Sequence, residues 1–479
     1  MSADDSNPYE PPKTPVGSDD ASSDGSGETQ KTPLSIQARL CLMMFLQYFV
    51  QGCYLPIVSV YLQDALGFNS QQLGMFGSAL AVGPLLAPFV LGQLVDRVWA
   101  TQRVLALCHL SGGVCMLLLY SQSGFWPVVV LGTIYSVLYI PTMMLTNSLA
   151  FHHLKGRDAE FPIVRLFGTV GFVLPAWLIE AVWLSGLAGQ ELNKARGIAF
   201  CFAGVAGLLM AGYSMTLPHT PPQPRGDRKF APAAVMGMMR FRYFAVLVVI
   251  TFFVAIVHKF YFVWNSPYLK DVLSLGKVTA WEQRISSIGQ ISEVAVMAGL
   301  GLMVTRLGFK VTLAIGILAY MIRCVTLAAA ISLSLSFEAA ITIACVGQAL
   351  HGLCFGCFLA AAFMFVDRVA TPDIRGSMQN LYGTFVLGLG FFVGGFISGA
   401  VGDRFTTAIG AETVRGQMGF ETMAGMAPIK NDQGVVEQVR DWPGIWLTCG
   451  ALAALCLVVF WLLFPKQTPA TEETEKLKE

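Results

Sequence analysis

The sequence predicts an all-α membrane protein with twelve transmembrane helices in two six-helix halves. Three observations support this fold class: a mean hydropathy of +0.60, twelve apolar runs long enough to cross a bilayer, and one basic interruption after the sixth run. Hydrophobic residues make up 54% of the chain and charged residues 13%, whereas ordinary soluble domains carry about 25% charged residues. A soluble globular domain is therefore excluded.

The N-terminal residues 1–35 are polar. They consist mainly of Ser, Pro, Gly, Asp and Thr, with almost no large apolar side chain. A segment of this composition cannot bury enough apolar surface to fold alone, so we expect a disordered cytoplasmic tail. No charged n-region leads directly into an apolar h-region, and no signal peptide is predicted. A second cytoplasmic tail is predicted over residues 466–479.

The apolar runs then follow one another along the chain. A bilayer core of about 30 Å needs roughly 20 apolar residues per helix. The predicted spans are 41–63, 73–95, 102–121, 125–150, 163–185, 198–217, 243–268, 283–305, 310–331, 338–366, 377–401 and 443–465. The first six spans form a predicted N-terminal bundle over 36–217, and the last six form a C-terminal bundle over 243–465.

The distribution of basic residues predicts the orientation. The central loop, 218–242, carries Arg225, Arg228, Lys229, Arg240 and Arg242. By the positive-inside rule this loop and both termini are cytoplasmic, in a multi-pass protein of the cytoplasmic (inner) membrane. One predicted exterior loop is long, 403–441. Its mixed charges are compatible with a small cap, a mobile loop or an indifferent surface insertion.

Several classes of function are disfavoured. All 11 cysteines fall in apolar runs, which indicates packing residues rather than a disulfide or zinc framework. The net charge of +1 gives no sign of a nucleic-acid partner. No nucleophile–base pair, metal set or phosphate loop appears at useful spacing, so an enzyme is not expected. The predicted partners are the lipid bilayer and a small-molecule substrate, without any metal or other cofactor.

Glu293 is the most informative single residue. It interrupts an apolar span one helical turn after Gln290. A carboxylate at membrane depth costs roughly 2.5 to 3.5 kcal/mol on insertion scales, so it is expected to bind cargo or carry a proton. The alternative is an ion pair with Arg165, Lys259 or Arg323 that only holds helices together.

A second polar face occurs in the fifth predicted span. Arg165, Thr169 and Phe172 recur at i, i+4 and i+7, so one helix face offers a guanidinium, a hydroxyl and an aromatic ring. This set suits a polar substrate with a planar group. The alternative is that Arg165 lies close enough to the predicted cytoplasmic end to extend its charge to water.

Three further titratable residues interrupt apolar spans. His258 and Lys259 lie among aromatic residues, and the sequence leaves open which of them faces a cavity. His351 shares a helix face with Phe355 at i, i+4, where an interhelical hydrogen bond is the alternative to a ligand role. Arg323 is interpreted as a structural partner of a neighbouring helix.

The loop after the second predicted span resembles a known signature. Gly92 to Arg97 reads Gly-Gln-Leu-Val-Asp-Arg, with Arg103 following on the cytoplasmic side. This resembles the signature loop of the major facilitator superfamily. The resemblance implies that Gly92, Asp96 and Arg97 gate an alternating-access change. For Arg97, simple positive-inside anchoring is the alternative.

From about Leu42 to Phe464 the chain resembles the nucleoside:proton symporter family within that superfamily. The segments that carry the resemblance are Phe45 to Gly52, Tyr139 to Ser148, Arg165 to Phe172, Gln290 to Glu293, Arg375 to Gln379 and Asp441 to Leu447. The resemblance implies a nucleoside cavity lined by the following residues: Arg165, Thr169, Phe172, Gln290, Glu293 and Phe355.

The chain departs from the family pattern at three places. Lys259 and Phe262 stand where the family has a Gln and an Asn, and His351 replaces an aromatic cavity residue. Gly356 occupies the position of an acidic residue implicated in transport. We therefore add Lys259 and His351 to the predicted substrate site, and expect Glu293, with His351 or His258, to carry any coupling proton.

The predicted function is that of a secondary active transporter. It would import nucleosides or similar hydroxylated metabolites by proton symport and alternating access, and would act as a monomer. One alternative is a carrier for another solute, such as a sugar, an organic anion or an exported compound. A non-transporting membrane sensor, which would use the polar tail and the 403–441 loop for interactions, is a further alternative.

Overall fold

The computed structural model describes residues 32–86, 99–155, 157–221, 237–333, 335–370, 378–379, 382–408, 426–430 and 436–466. Within these residues ten helices are long and apolar enough to cross a membrane. We call the described residues before 222 the N-terminal part and those after 236 the C-terminal part. The chain is therefore an all-α membrane protein, as predicted.

The N-terminal part is helical throughout. Its helices include α1 (Leu34–Tyr54), α2 (Val58–Asp64), α3 (Ser70–Ala79), α4 (Thr101–Tyr120), α5 (Phe125–His153), α6 (Arg157–Leu178), α7 (Gly189–Ala195) and α8 (Ile198–Ser214), and a π-helical turn, Ile179–Trp183, continues α6. Pro56 lies between α1 and α2, where it cannot continue the helical hydrogen bonds. Asn69 begins α3 with a capping box, because its side chain accepts from Gln72 N–H and the Gln72 side chain accepts in return.

The C-terminal part contains five long helices and a small sheet. The helices are α9 (Arg242–Ser274), α10 (Glu282–Ser332), α11 (Phe337–Val369), α12 (Tyr382–Arg404) and α13 (Trp442–Leu463). The strands β1 (Thr406–Ala408), β2 (Met426–Lys430) and β3 (Val436–Asp441) form an antiparallel sheet in the order β1-β3-β2. The described residues of the 403–441 loop thus agree with a small cap. We call the end of the bundle that carries it the sheet end.

The described helices follow the predicted spans closely. Helix α10 covers two of them and bends at Gly308, whose φ of 78° lies in the left-handed region that favours glycine. The second predicted span, 73–95, runs into residues 87–98, which lie outside the described residues. Helix α9 continues to Ser274 rather than ending at 268, because Lys270 and Asp271 find polar partners there.

Helices α3 and α12 join the two parts through backbone contact. A Cβ atom added to Gly74 would lie 2.5 Å from the carbonyl oxygen of Gly395. One turn along α3, the Ser78 hydroxyl donates to the carbonyl of Phe392 at 2.7 Å. The eleventh predicted span, which is rich in glycine, therefore packs tightly against α3. Small residues permit this approach of two helices in a membrane.

Buried charges also join the two parts at the sheet end. Arg196, 1% exposed, pairs with Glu282 and lies 3.7 Å from Asp64. Lys270 Nζ donates to the same Asp64 carboxylate at 2.8 Å. Glu180 accepts from two backbone N–H groups at the start of α10. We call Asp64, Glu180, Arg196, Lys270 and Glu282 the sheet-end network.

Arg440 of strand β3 adds a further link. Its guanidinium lies 4.7 Å from the ring centroid of Trp264 and 5.3 Å from that of Trp442, and it donates to Gln63 of α2 at 2.7 Å. Burial lowers the pKa of Arg440 to about 10, although Asp271 and Asp64 act in the opposite direction. The side chain therefore stays charged near neutral pH and fixes the sheet to both parts.

Candidate functional site

A small cavity lies between the N-terminal and C-terminal parts. Its volume is about 20 Å³, which is space for about one water molecule. The residues that line it are Leu55, Pro56, Phe172, Tyr261, Phe262, Asn265, Ser266, Ser286 and Gln290. They come from the turn between α1 and α2 and from α6, α9 and α10, so the cavity is a place where both parts can contact one ligand.

Helix α6 carries the predicted Arg165, Thr169 and Phe172 face, and all three side chains are partly buried. Phe172 lines the cavity. The Arg165 guanidinium lies 4.3 Å from the ring centroid of Tyr48, a cation–π contact that holds it inside the bundle. The charge of Arg165 also acts electrostatically on Glu293. Arg165 and Thr169 are not among the residues that line the cavity, but the contact with Tyr48 keeps the guanidinium within the bundle.

Helix α10 places Gln290 and Glu293 on one face, as their spacing predicts. Gln290 lines the cavity, and the Glu293 side chain is 21% exposed. Among the described residues its one ion-pair contact is His351, whose Nε2 lies 3.9 Å from Oε2. Among the described residues, no ion pair joins Glu293 to Arg165, Lys259 or Arg323. The alternative that Glu293 only holds helices together through such a pair is therefore wrong. A partly buried carboxylate without a strong cation remains available to a proton or a ligand.

His351 lies between Glu293 and Arg323. Its Nδ1 is 3.0 Å from Nη1 of Arg323, and both residues are 2% exposed. The Arg323 guanidinium stacks on Tyr261 at 3.4 Å from the ring centroid. From the sequence, Arg323 was expected to be a helix partner or an ion-pair partner of Glu293, and its contact with His351 was not foreseen. The only sequence signal was an arginine inside an apolar span.

His258 lies beside this group. Its Nδ1 is 2.7 Å from the Tyr320 hydroxyl, and its ring stacks on that of His351 with centroids 5.6 Å apart. Lys259, the next residue, lies against α3, with Cε 3.2 Å from the position of an added Gly77 Cβ. The structure therefore brings His258 to the Glu293 group, while Lys259 occupies the interface between α9 and α3.

A buried chain of hydrogen bonds supports the cavity wall. Tyr261 donates to Gln348 at 2.7 Å, Gln348 donates to Asn265 at 2.8 Å, and Asn265 donates to Ser286 at 2.6 Å. Tyr261, Asn265 and Ser286 line the cavity. Such fully connected networks fix side-chain orientation. This chain of hydrogen bonds was not predicted from the sequence, although Asn265 and Gln348 interrupt apolar spans.

Helix α11 packs tightly at Gly356, the position where the family resemblance implies an acidic residue. A Cβ added at Gly356 would lie 2.7 Å from Cγ1 of Val296, so α11 and α10 leave little room for a side chain at this position. The Phe355 ring lies 6.5 Å from the His351 ring. The predicted gating residues Gly92, Asp96 and Arg97 lie outside the described residues.

A helical bundle with a cavity between two parts, lined by apolar and polar side chains, is an arrangement found in secondary active transporters. Solved structures of major facilitator transporters share it. The crystal structure of the nucleoside transporter NupG matches with a TM-score of 0.74 at 19% identity, over 90% of this chain and 100% of that one. A D-xylose-proton symporter structure matches with a TM-score of 0.64 at 14% identity, over 91% and 99%.

The chain belongs to the nucleoside H+ symporter family, whose model matches residues 34–469. The xanthosine permease of Escherichia coli K12 is 26% identical over 452 residues, which cover 90% of this chain and 96% of that protein. The nucleoside permease NupG of the same organism is 24% identical over 387 residues, covering 78% and 89%. The family confirms the predicted proton-coupled nucleoside transporter and the prediction that the protein is not an enzyme.

Proposed function

We propose that this chain imports nucleosides together with protons across the cytoplasmic membrane by alternating access. The observation that carries the proposal is Glu293, a partly buried carboxylate beside a cavity between the two parts, with His351 as its one ion-pair contact among the described residues. Such a group can take up a proton on one side of the membrane and release it on the other. The family description supports both the cargo and the coupling ion.

The residue roles follow from chemistry and position. Arg165 would donate hydrogen bonds to the ribose hydroxyls or the base, and Thr169 and Gln290 would donate or accept hydrogen bonds with the same groups. Phe172 and Phe355 would pack against the planar base. Glu293 would hold the coupling proton.

The conformational state follows from the proposed orientation. With both termini cytoplasmic, the sheet end faces the exterior, and the sheet-end network closes that side. Cargo bound between the two parts, where the present cavity of about 20 Å³ would have to widen, would then leave toward the cytoplasm. We also propose that the protein acts as a monomer and requires no cofactor besides the proton.

Uptake into proteoliposomes tests the proposal. Labelled uridine and adenosine are offered under an inward proton gradient, with and without a protonophore, and labelled xylose serves as the control cargo. We expect concentrative nucleoside uptake that collapses with the protonophore. Nucleoside uptake that is the same with and without the proton gradient would refute proton coupling. The absence of flux from correctly inserted protein would refute the cargo.

A second candidate is a carrier for an organic anion. Two cations, Arg165 and Arg323, lie near the single acid Glu293, and Lys259 adds a further base at the interface between α9 and α3. An excess of bases suits an anionic ligand. Competition separates the two cargo classes. If the second candidate is correct, a labelled organic anion is taken up and unlabelled nucleosides leave its flux unchanged; if the first is correct, unlabelled nucleosides reduce the uptake of a labelled nucleoside and organic anions do not.

A further inference from the structure

The two ring nitrogens of His351 face two different partners. Nδ1 lies 3.0 Å from Nη1 of Arg323, and Nε2 lies 3.9 Å from Oε2 of Glu293. The imidazole therefore separates a buried cation from the carboxylate proposed to hold the coupling proton. Which nitrogen carries hydrogen decides what His351 can offer to Glu293 and to cargo.

Arg323 decides this question. A guanidinium has only donors and stays charged in proteins, so at 3.0 Å it donates and Nδ1 of His351 accepts. A neutral imidazole has one donor and one acceptor nitrogen. The hydrogen of His351 consequently lies on Nε2, which is the nitrogen that faces Glu293.

Arg323 is held firmly in this position. It stacks on Tyr261, whose hydroxyl is fixed by Gln348, and it is 2% exposed. Its Nε and Nη2 atoms have no hydrogen-bond partner among the described residues, so its charge is not neutralised by an acid. A second proton on His351 would place another cation beside this charge, which disfavours imidazolium.

Resting on the proposed function, we infer that Arg323 is a positioning residue that keeps His351 neutral, with Nε2–H as a fixed donor toward Glu293 and the cavity. His351 then does not carry the coupling proton, which resides on Glu293 alone. While Glu293 is ionised, it attracts the Nε2–H group; a shift of roughly 1 Å completes that hydrogen bond. When a proton from the exterior binds Glu293, the Nε2–H group becomes free to donate to the cargo.

The titratable and charged groups around His351 come from three helices. Helix α9 contributes His258, which stacks on the ring, and Tyr261. Helix α10 contributes Arg323 and Glu293. From α6, Arg165 acts through its electrostatic interaction with Glu293. Of these, Arg323 alone makes a hydrogen bond to the imidazole, which is why it sets the position of the proton.

Nitrogen-15 NMR of histidine-labelled protein in nanodiscs tests the inference without any transport measurement. The chain has 6 histidines, and His351→Gln identifies the resonances of interest. We expect wild-type His351 to show a protonated Nε2, a bare Nδ1 and no titration between about pH 5 and 8. Titration of His351 in this range, or a protonated Nδ1, would overturn the inference whatever the variants at Arg323 show.

Variants at Arg323 extend this test. Arg323→Met removes the donor, and His351 should then titrate or mix tautomers, while Arg323→Lys should restore part of the wild-type spectrum. Tyr320→Phe is the matched control, because it removes a buried hydrogen bond to His258 from the same helix and leaves Arg323 in place. An unchanged His351 spectrum in Arg323→Met would overturn the assignment of Arg323.

Transport kinetics provide the second readout. In Arg323→Met we expect KM for a nucleoside to rise roughly five- to tenfold, the effect of one weakened hydrogen bond, and a new ionisation to appear in its pH profile. A loss of maximal rate with unchanged KM and pH profile would overturn the positioning role. If no nucleoside is transported at all, the proposed function fails, whereas the NMR result still decides the state of His351.

Discussion

The sheet-end network and the central cavity both bury charged side chains, but they treat them differently. At the sheet end, Arg196 pairs with Glu282, and Lys270 pairs with Asp64. In the cavity, Glu293 has one ion-pair contact, a histidine 3.9 Å away. Buried charges are costly unless paired. The difference teaches that paired charges hold one conformation in place, whereas an incompletely paired carboxylate can still bind a proton or a ligand, which is the role that we propose for Glu293.

Neutralising the unpaired carboxylate should have the largest effect on transport. Glu293→Gln cannot take up the coupling proton, so we expect proton-driven accumulation to disappear while nucleoside exchange across proteoliposomes persists. Because Glu293 lacks a strong partner, its replacement should not lower the unfolding temperature. Glu338→Gln, at an exposed acid at the start of α11, is the control. Accumulation with an unchanged pH dependence would remove Glu293 from the coupling mechanism.

Breaking a pair at the sheet end should instead affect stability. Arg196→Met leaves Glu282 buried without its cation and should cost about 3 to 5 kcal/mol of unfolding free energy. Thermal unfolding in nanodiscs measures the loss. The double variant Arg196→Met with Glu282→Leu should recover much of it, because the remaining Asp64 still pairs with Lys270. Equal losses in the single and double variants would contradict the pairing argument.

A substitution at the contact of α3 with α12, which joins the N-terminal and C-terminal parts, should have a smaller effect than the loss of a buried ion pair. Gly74→Ala places a methyl group 2.5 Å from the Gly395 carbonyl oxygen and should destabilise by about 1 to 3 kcal/mol. Gly299→Ala is the matched control, since an added Cβ there meets nothing within 4 Å. Unfolding temperature and uptake rate should both fall in the first variant only. Equal behaviour of the two variants would show that the contact is not tight.

The smallest effect is expected at the cap. Arg440→Gln loses the contacts with Trp264 and Trp442 and should cost about 0.5 to 2 kcal/mol. Its unfolding temperature should fall slightly while KM for a nucleoside stays constant, because Arg440 lies away from the cavity-lining residues. Arg404→Gln, at an exposed position at the end of α12, controls for loss of charge. A changed KM would mean that the cap communicates with the cavity.

The sequence was sufficient to predict most of the helices and the two helix faces that carry candidate site residues. One face carries Arg165, Thr169 and Phe172, and the other carries Gln290 and Glu293. Run length placed α5 and α8 at their observed starts, and spacing placed Gln290 and Glu293 on one face. Both properties are local, so periodicity reveals them. The β-sheet escaped prediction because its loop lacks a clear alternating pattern.

Contacts between distant segments could not be predicted. Arg323 and His351 are 28 residues apart, and Arg196 and Glu282 are 86 residues apart. No periodicity within a helix reports which side chain of another helix faces it. Arg323 was therefore interpreted without its histidine, and the sheet-end network was not foreseen.

The glycine contact between α3 and α12 has a mechanical consequence. Helices usually lock together through side-chain ridges seated in grooves, but Gly74 and Gly395 meet as bare backbone. When these two helices separate at this contact, no side chain has to leave a groove or change its rotamer. The energy barrier to their separation is therefore expected to be low at this contact. We therefore expect the ion pairs around Arg196, rather than this glycine contact, to provide most of the resistance to opening of the sheet end.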